Sequence, residues 1–300
     1  MKIALQLGLL PGESVADKIG WAADHGVEGI EISAWNYKVD QIPQAKKDFE
    51  KSSVPVVSIC GNPSFDFLDP DPKKRRNSID ESKKYLELAG HFRAVGQIVP
   101  PIFGAPRIND LSPVKDAVTL EKELLVEICK ELGDFAGKQK TLFLLEPLNR
   151  YEQHLLRKQS DGLEIIRRCK NPHVALISDF FHMHIEETHT PQALLKAAKN
   201  VRHIHLADNT RLEPGTGDID FVAGFAALLK IGFKGYMAYE CGVSGEDKGK
   251  SLAKSLQYVR DCIEKAKTYG QKPKIEPPVL KGPIPGRKGI LKNSRVLAKR

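Results

Sequence analysis

No stretch of this 300-residue chain approaches the roughly 18 consecutive apolar residues that a membrane helix requires, so a spanning segment is not expected. Cysteine is scarce: Cys60, Cys129, Cys169, Cys241 and Cys262 are odd in number, far apart and free of any CxxC pair, which excludes a disulfide scaffold and the common zinc and thiol-redox motifs. They read as reduced thiols, and the expected location is the cytoplasm. The opening MKIALQLGLLPG has one Lys, a short apolar run broken by Gln6 and Gly8, and no small-residue cleavage site, so a strand is expected there and not a leader. No GxGxxG follows that run either, since Gly8 and Gly12 merely flank Pro11; a dinucleotide fold lacks its fingerprint.

Net charge is also missing where it would matter. The formal +8 comes from 46 Lys and Arg against 38 Asp and Glu, but residues 271–300 hold nine of the bases and one acid, Glu276. The first 270 residues therefore balance, and a basic groove for a nucleic acid backbone is not expected on the main body. With 41% hydrophobic and 28% charged residues, that body has an ordinary globular composition. The last stretch, with Pro277, Pro278, Pro283, Pro285 and scattered Lys and Arg, reads as a basic, Pro/Gly-rich tail. The expected organisation is a domain over 1–270 and a tail over 271–300; Ile284, Ile290, Leu291, Val296 and Leu297 raise the alternative of an arm laid on a neighbouring subunit.

Within the main body, short β-rich runs alternate with longer segments of helical period. The strand candidates are 2–7, 29–33, 54–59, 94–99, 141–145, 174–177, 201–206 and 235–239. Helix candidates lie near 14–25, 40–52, 73–91, 118–138, 160–169, 191–199, 220–231 and 247–267, the fourth with Leu120, Leu124, Ile128, Leu132 and Phe135 on one stripe. Eight right-handed strand–helix units close most economically into a single (β/α)₈ barrel, whose site lies at the carboxyl ends of the strands. An open doubly wound sheet is the alternative.

Four of the later strand candidates end alike: an apolar run, then Glu146, Asp179, His205 or Glu240. One polar strand end means little; on a barrel these four converge on a point. Three carboxylates and one imidazole suit a hard, six-coordinate divalent ion better than a closed zinc site, with Mn²⁺ the first expectation and Mg²⁺ or Co²⁺ able to replace it. Without a cation, three such carboxylates would repel one another. Six of the nine histidines fall between His173 and His205. His182, three residues after Asp179, can reach the site from the following loop; His184, His189 and His203 read as ordinary loop or core histidines.

The runs Leu145-Glu-Pro-Leu-Asn-Arg-Tyr-Glu152, Asp179-Phe-Phe-His-Met-His-Ile-Glu-Glu187 and His203 to Phe221, with Glu240, resemble the xylose-isomerase-like TIM barrels, a superfamily of sugar phosphate isomerases and epimerases. The similarity is nearest to the D-tagatose and D-psicose 3-epimerases. It spans about residues 1–268 and concentrates in 141–240. The resemblance implies that Glu146, Asp179, His205 and Glu240 bind the metal, that Glu152 and His182 hold the sugar near its carbonyl, and that Arg211 lies beside the metal. It further implies a ketose 3-epimerase in which Glu146 and Glu240, on opposite faces of the sugar, exchange the proton through a cis-enediolate, and it suggests a dimer or tetramer. Phe180, His184 and Cys241 depart from the family's pattern, and the strand ends of the first half offer only Glu31, Trp35, Asn62, Gln97 and Pro101, none singled out.

Relatives with the same metal site leave other outcomes open: hydroxypyruvate isomerase, inosose or keto-sugar dehydratase, and pentulose-phosphate epimerase. An endonuclease IV-like nuclease would need a multi-metal cluster and a positive face. A catalytically silent sugar-binding barrel would need no acid on both sides. The expected partner is a small sugar, with neither nucleic acid nor membrane.

Overall fold

A computed structural model describes residues 1–270; the tail expected over 271–300 lies outside the described residues. Eight parallel strands close into one barrel in sequence order, β1 next to β8. In chain order the elements are β1 Lys2–Gln6, α1 Val15–Asp24, β2 Gly29–Ser33, α2 Ile42–Asp48, β3 Val56–Cys60, α3 Pro72–Phe92, β4 Gly96–Val99 and α4 Ala117–Lys138. They continue with β5 Leu142–Leu145, α5 Gln159–Cys169, β6 Val174–Asp179, α6 Phe180–Glu186, α7 Thr190–Ala197, β7 Val201–Leu206, α8 Phe221–Lys230, β8 Tyr236–Tyr239 and α9 Lys248–Ala266. The strand–helix alternation is the one the sequence predicts, and the open sheet is excluded.

Local chemistry starts the outer helices where they begin. Asp116, Asp220 and Asp247 each accept a hydrogen bond from the backbone N–H three residues on, capping α4, α8 and α9, and Ser14 with Asp17 forms a capping box at α1. Between helices and sheet lies the main core; inside the ring are small clusters, Ala4 with Val57 and Ala238, and Cys60 with Ile98, Leu144, Ala175 and Ile177. Strands buried on both faces read as unbroken apolar runs, which is why the sequence marks them.

Two local expectations are corrected. The buried stripe of α4 runs through Glu121, Leu125, Ile128, Cys129, Leu132 and Ala136, with Leu124 and Phe135 only at its edge. The helix is thus rotated from the apolar stripe read off the sequence, because Glu121 turns inward to bond the loop beside it. Second, α6 follows β6 without a linker in a stretch expected to be loop. Among the described residues no helix is long and apolar enough to cross a membrane.

Candidate active site

The carboxyl ends of β5 to β8 bring the predicted donors together. Glu146 follows β5 and its N–H bonds the Val99 carbonyl; Glu240 follows β8 and its N–H bonds that of Leu206. Asp179 closes β6 and His205 lies in β7 directly beside it in register. Nδ1 of His205 is 3.1 Å from Glu240 Oε2, 3.2 Å from Glu146 Oε1 and 3.9 Å from Asp179 Oδ2, and one donor atom from each of the four lies within 4.8 Å of the others. Asp179 and His205 are fully buried, whereas the Glu240 side chain keeps 22% exposure toward the mouth.

Asp179 has a second duty: its Oδ1 accepts the N–H groups of Phe181 and His182 and so caps α6. That cap folds the chain back and delivers His182 to the cavity wall, while Phe180 turns outward to stack on Phe221. A Cβ on Gly224 would overlap the Phe180 ring, so only glycine fits there. The departure at Phe180 therefore falls in the helix layer and leaves the pocket alone. His184 is exposed beside Asp218, outside the cluster.

Arg211 reaches Asp179 Oδ2 at 2.7 Å with Nη1 and Glu240 Oε2 with Nη2, and its guanidinium lies 4.6 Å over the Phe181 ring. It holds a left-handed φ of +59°. The carboxylate of buried Asp208 sustains this loop by accepting the N–H groups of Asn209, Gly215 and Ile219. Glu152 stands at the rim, 2.8 Å from Asn149 Nδ2, which also touches His182 Nδ1 at 2.8 Å.

These groups open into a cavity of about 110 Å³ with Glu146, Glu152, His182, Arg211 and Glu240 on one side and an aromatic wall of Trp35, Phe65 and Phe103 on the other. A larger cleft, about 630 Å³, lies on the flank between α5 and α7 and contains none of the predicted residues.

The electrostatics demand cations. Burial, and next the Glu240 carboxylate, pushes Glu146 up to about 7. For Glu240 burial works the same way, but His205 and Arg211 outweigh it and hold the carboxyl well below its usual range. His205 is raised well above an ordinary imidazole: burial opposes this, and Glu240 and Glu31 prevail. The charge of Arg211, and the positive charge favoured on His205, offset the carboxylates as a divalent ion would. Three carboxylate oxygens and one ring nitrogen around a point are a fitting donor set for such an ion.

Glu31 is the residue the sequence reading left out. It is fully buried next to the four-donor cluster, with Oε1 3.0 Å from His205 Nε2. The available signal was an acid between isoleucines in the inward-facing register of Gly29-Ile-Glu-Ile-Ser.

The profile of the family described as xylose isomerase-like TIM barrel matches residues 19–271. The chain belongs to that family. It is 30% identical to a 3-dehydro-D-guloside 4-epimerase of Escherichia coli (strain K12) over 264 residues, 87% of this chain and all of the relative. It is 28% identical to a probable ketose 3-epimerase of Synechocystis sp. over 233 residues, 74% of this chain and 76% of that one. Among solved structures, an E. coli 3-keto-D-glucoside 4-epimerase superposes with a TM-score of 0.76 at 29% identity, covering 87% of this chain and 100% of the other. These family relatives are sugar epimerases, a class of isomerase, and the chain is an enzyme of that class.

Proposed function

We propose that this family member is a divalent-metal-dependent epimerase that inverts the carbon next to the carbonyl of a keto sugar. The observation that carries the reading is the placement of Glu146 and Glu240. They follow β5 and β8, three strands apart around an eight-strand ring, so two carboxylates approach one point from widely separated directions while both touch His205. Inversion needs that arrangement: one group takes the proton beside the carbonyl, the other returns one from the other side. Glu146, Asp179, His205 and Glu240 would hold the ion, Mn²⁺ first, which supplies Lewis-acid stabilisation of the enediolate charge. Arg211 adds fixed positive charge beside the reacting atoms, and His182 and Glu152, joined through Asn149, orient the carbonyl and its neighbouring hydroxyl.

Ketose 3-epimerisation is the position implied by the sequence motifs. A second position is favoured by the relative matched over its whole length, which bears the name of a 4-epimerase of a 3-keto sugar. Both place the inverted carbon beside a ketone, so the residues act alike. Proton NMR in D₂O with Mn²⁺ and a metal-stripped control separates them. Loss of the C3 proton from free ketoses such as psicose and tagatose supports the first, loss of the C4 proton from 3-keto-D-glucosides the second, and loss at C1 points to aldose–ketose isomerisation. No exchange in any of them, with Mn²⁺ bound, overturns the epimerase reading.

A further inference from the structure

Next to the cluster, and not part of the cavity wall, the Glu31 carboxylate is surrounded by donors from three other strands. Oε1 accepts from Gln6 Nε2 at 2.9 Å and faces His205 Nε2 at 3.0 Å; Oε2 accepts from Ser58 Oγ at 2.6 Å and faces His203 Nε2 at 3.0 Å. Gln6 Nε2 also reaches Glu240 Oε1 at 3.0 Å. An ionised carboxylate only accepts, so each imidazole must present an Nε2–H to it. His203 fits: its Nδ1 is buried with no partner, the state expected of a ring nitrogen that carries no proton. For His205 the consequence is functional: with the Nε2 proton held by Glu31, Nδ1, the atom among the three carboxylates, is the nitrogen that a cation would take in exchange for a proton.

Resting on the metal reading above, we propose that Glu31 is the positioning residue of the metal site: it sets the tautomer and ring orientation of His205 directly, and the Glu240 carboxylate through Gln6. Carboxylate–histidine pairs of this kind change metal affinity 10- to 100-fold when broken. His203 and Ser58 complete the acceptor capacity of Glu31 and hold it in place.

The test is a Mn²⁺ titration followed by electron paramagnetic resonance of the free ion, on the unaltered chain and on Glu31→Gln, with melting temperatures of both without metal and the absorption spectrum of each loaded with Co²⁺. The expected result is a folded variant whose Mn²⁺ dissociation constant rises 10- to 100-fold and whose Co²⁺ bands shift. Glu31→Asp keeps the charge but withdraws it by about one C–C bond, ~1.5 Å; it is also expected to lose affinity, and it decides the matter if the Gln variant does not fold. A lowered melting temperature with Mn²⁺ affinity within twofold of the unaltered chain makes Glu31 merely structural and overturns the proposal. If the unaltered chain binds no Mn²⁺, the metal reading falls and this inference with it.

Discussion

Replacing Glu146 or Glu240 by Gln separates the two halves of an inversion. Each glutamate lies little more than 3 Å from His205 Nδ1, and Gln keeps the volume of the side chain while removing its capacity to take up or return a proton. General acid–base groups contribute about 10²- to 10⁴-fold, equivalent to about 3–5 kcal/mol of barrier, so either variant should lose epimerisation by that factor. The sharper expectation concerns exchange without inversion. With two carboxylates on different sides of the carbon, one variant still removes the proton from one epimer and returns solvent deuterium from the same side. The other variant does so for the opposite epimer. The assay is proton NMR in D₂O at saturating Mn²⁺, started from each pure epimer, with bound metal counted so that weakened ligation is not mistaken for lost proton transfer. If one variant abolishes exchange in both epimers while the other leaves both intact, a single base serves both faces and the two-carboxylate argument is refuted; near-normal turnover in either variant refutes it as well.

Chelation followed by Mn²⁺ at a hundred times its dissociation constant should stabilise the fold by about 2.7 kcal/mol, and a melting temperature indifferent to Mn²⁺ would count against the four-donor site. Phe180→Ala, which empties the stack against Phe221 and Phe225, should cost about 3–5 kcal/mol in denaturant unfolding while the folded variant still turns over substrate. Stability should also follow the pair of Glu121 and His154, 2.6 Å apart beside the loop that carries Phe103. Burial raises Glu121, but bonds from His154 and from the Arg107 and Ile108 N–H groups outweigh it, so its carboxyl lies below the ordinary 4.5 and its contribution is lost as pH falls. Burial lowers His154, but the bond to Glu121 outweighs it, so the ring lies above 6.5 and its contribution is complete below that pH and lost as pH rises through the raised value. The melting-temperature deficit of His154→Gln should therefore be largest between about pH 4.5 and 6.5 and shrink toward pH 9; a deficit that grows with pH would contradict the ion pair.

The parts of this barrel that were readable in the sequence share a physical cause. A parallel strand buried on both faces must be apolar throughout, so the acid or imidazole that ends it stands out, as Glu146 does after Leu142–Leu145 and Glu240 after Tyr236–Tyr239. The helix α6 was illegible for the converse reason. Phe180–Glu186 is only two turns long and buried around much of its girth, so it has little amphipathic contrast, and its cap is Asp179, a residue that the sequence reading assigns to a metal instead. Glu31 marks the deeper limit. A buried carboxylate is tolerable only if donors surround it, which makes an acid inside an apolar strand a signal that partners exist. Those partners, Gln6, Ser58, His203 and His205, stand 25, 27, 172 and 174 residues away along the chain, and only closure of the ring brings them to one point. Local pattern can therefore announce that such a residue is needed and leave what it serves to the topology. Here the topology joins β2 to β7 across the barrel, and the carboxylate meets the imidazoles of His203 and His205 there.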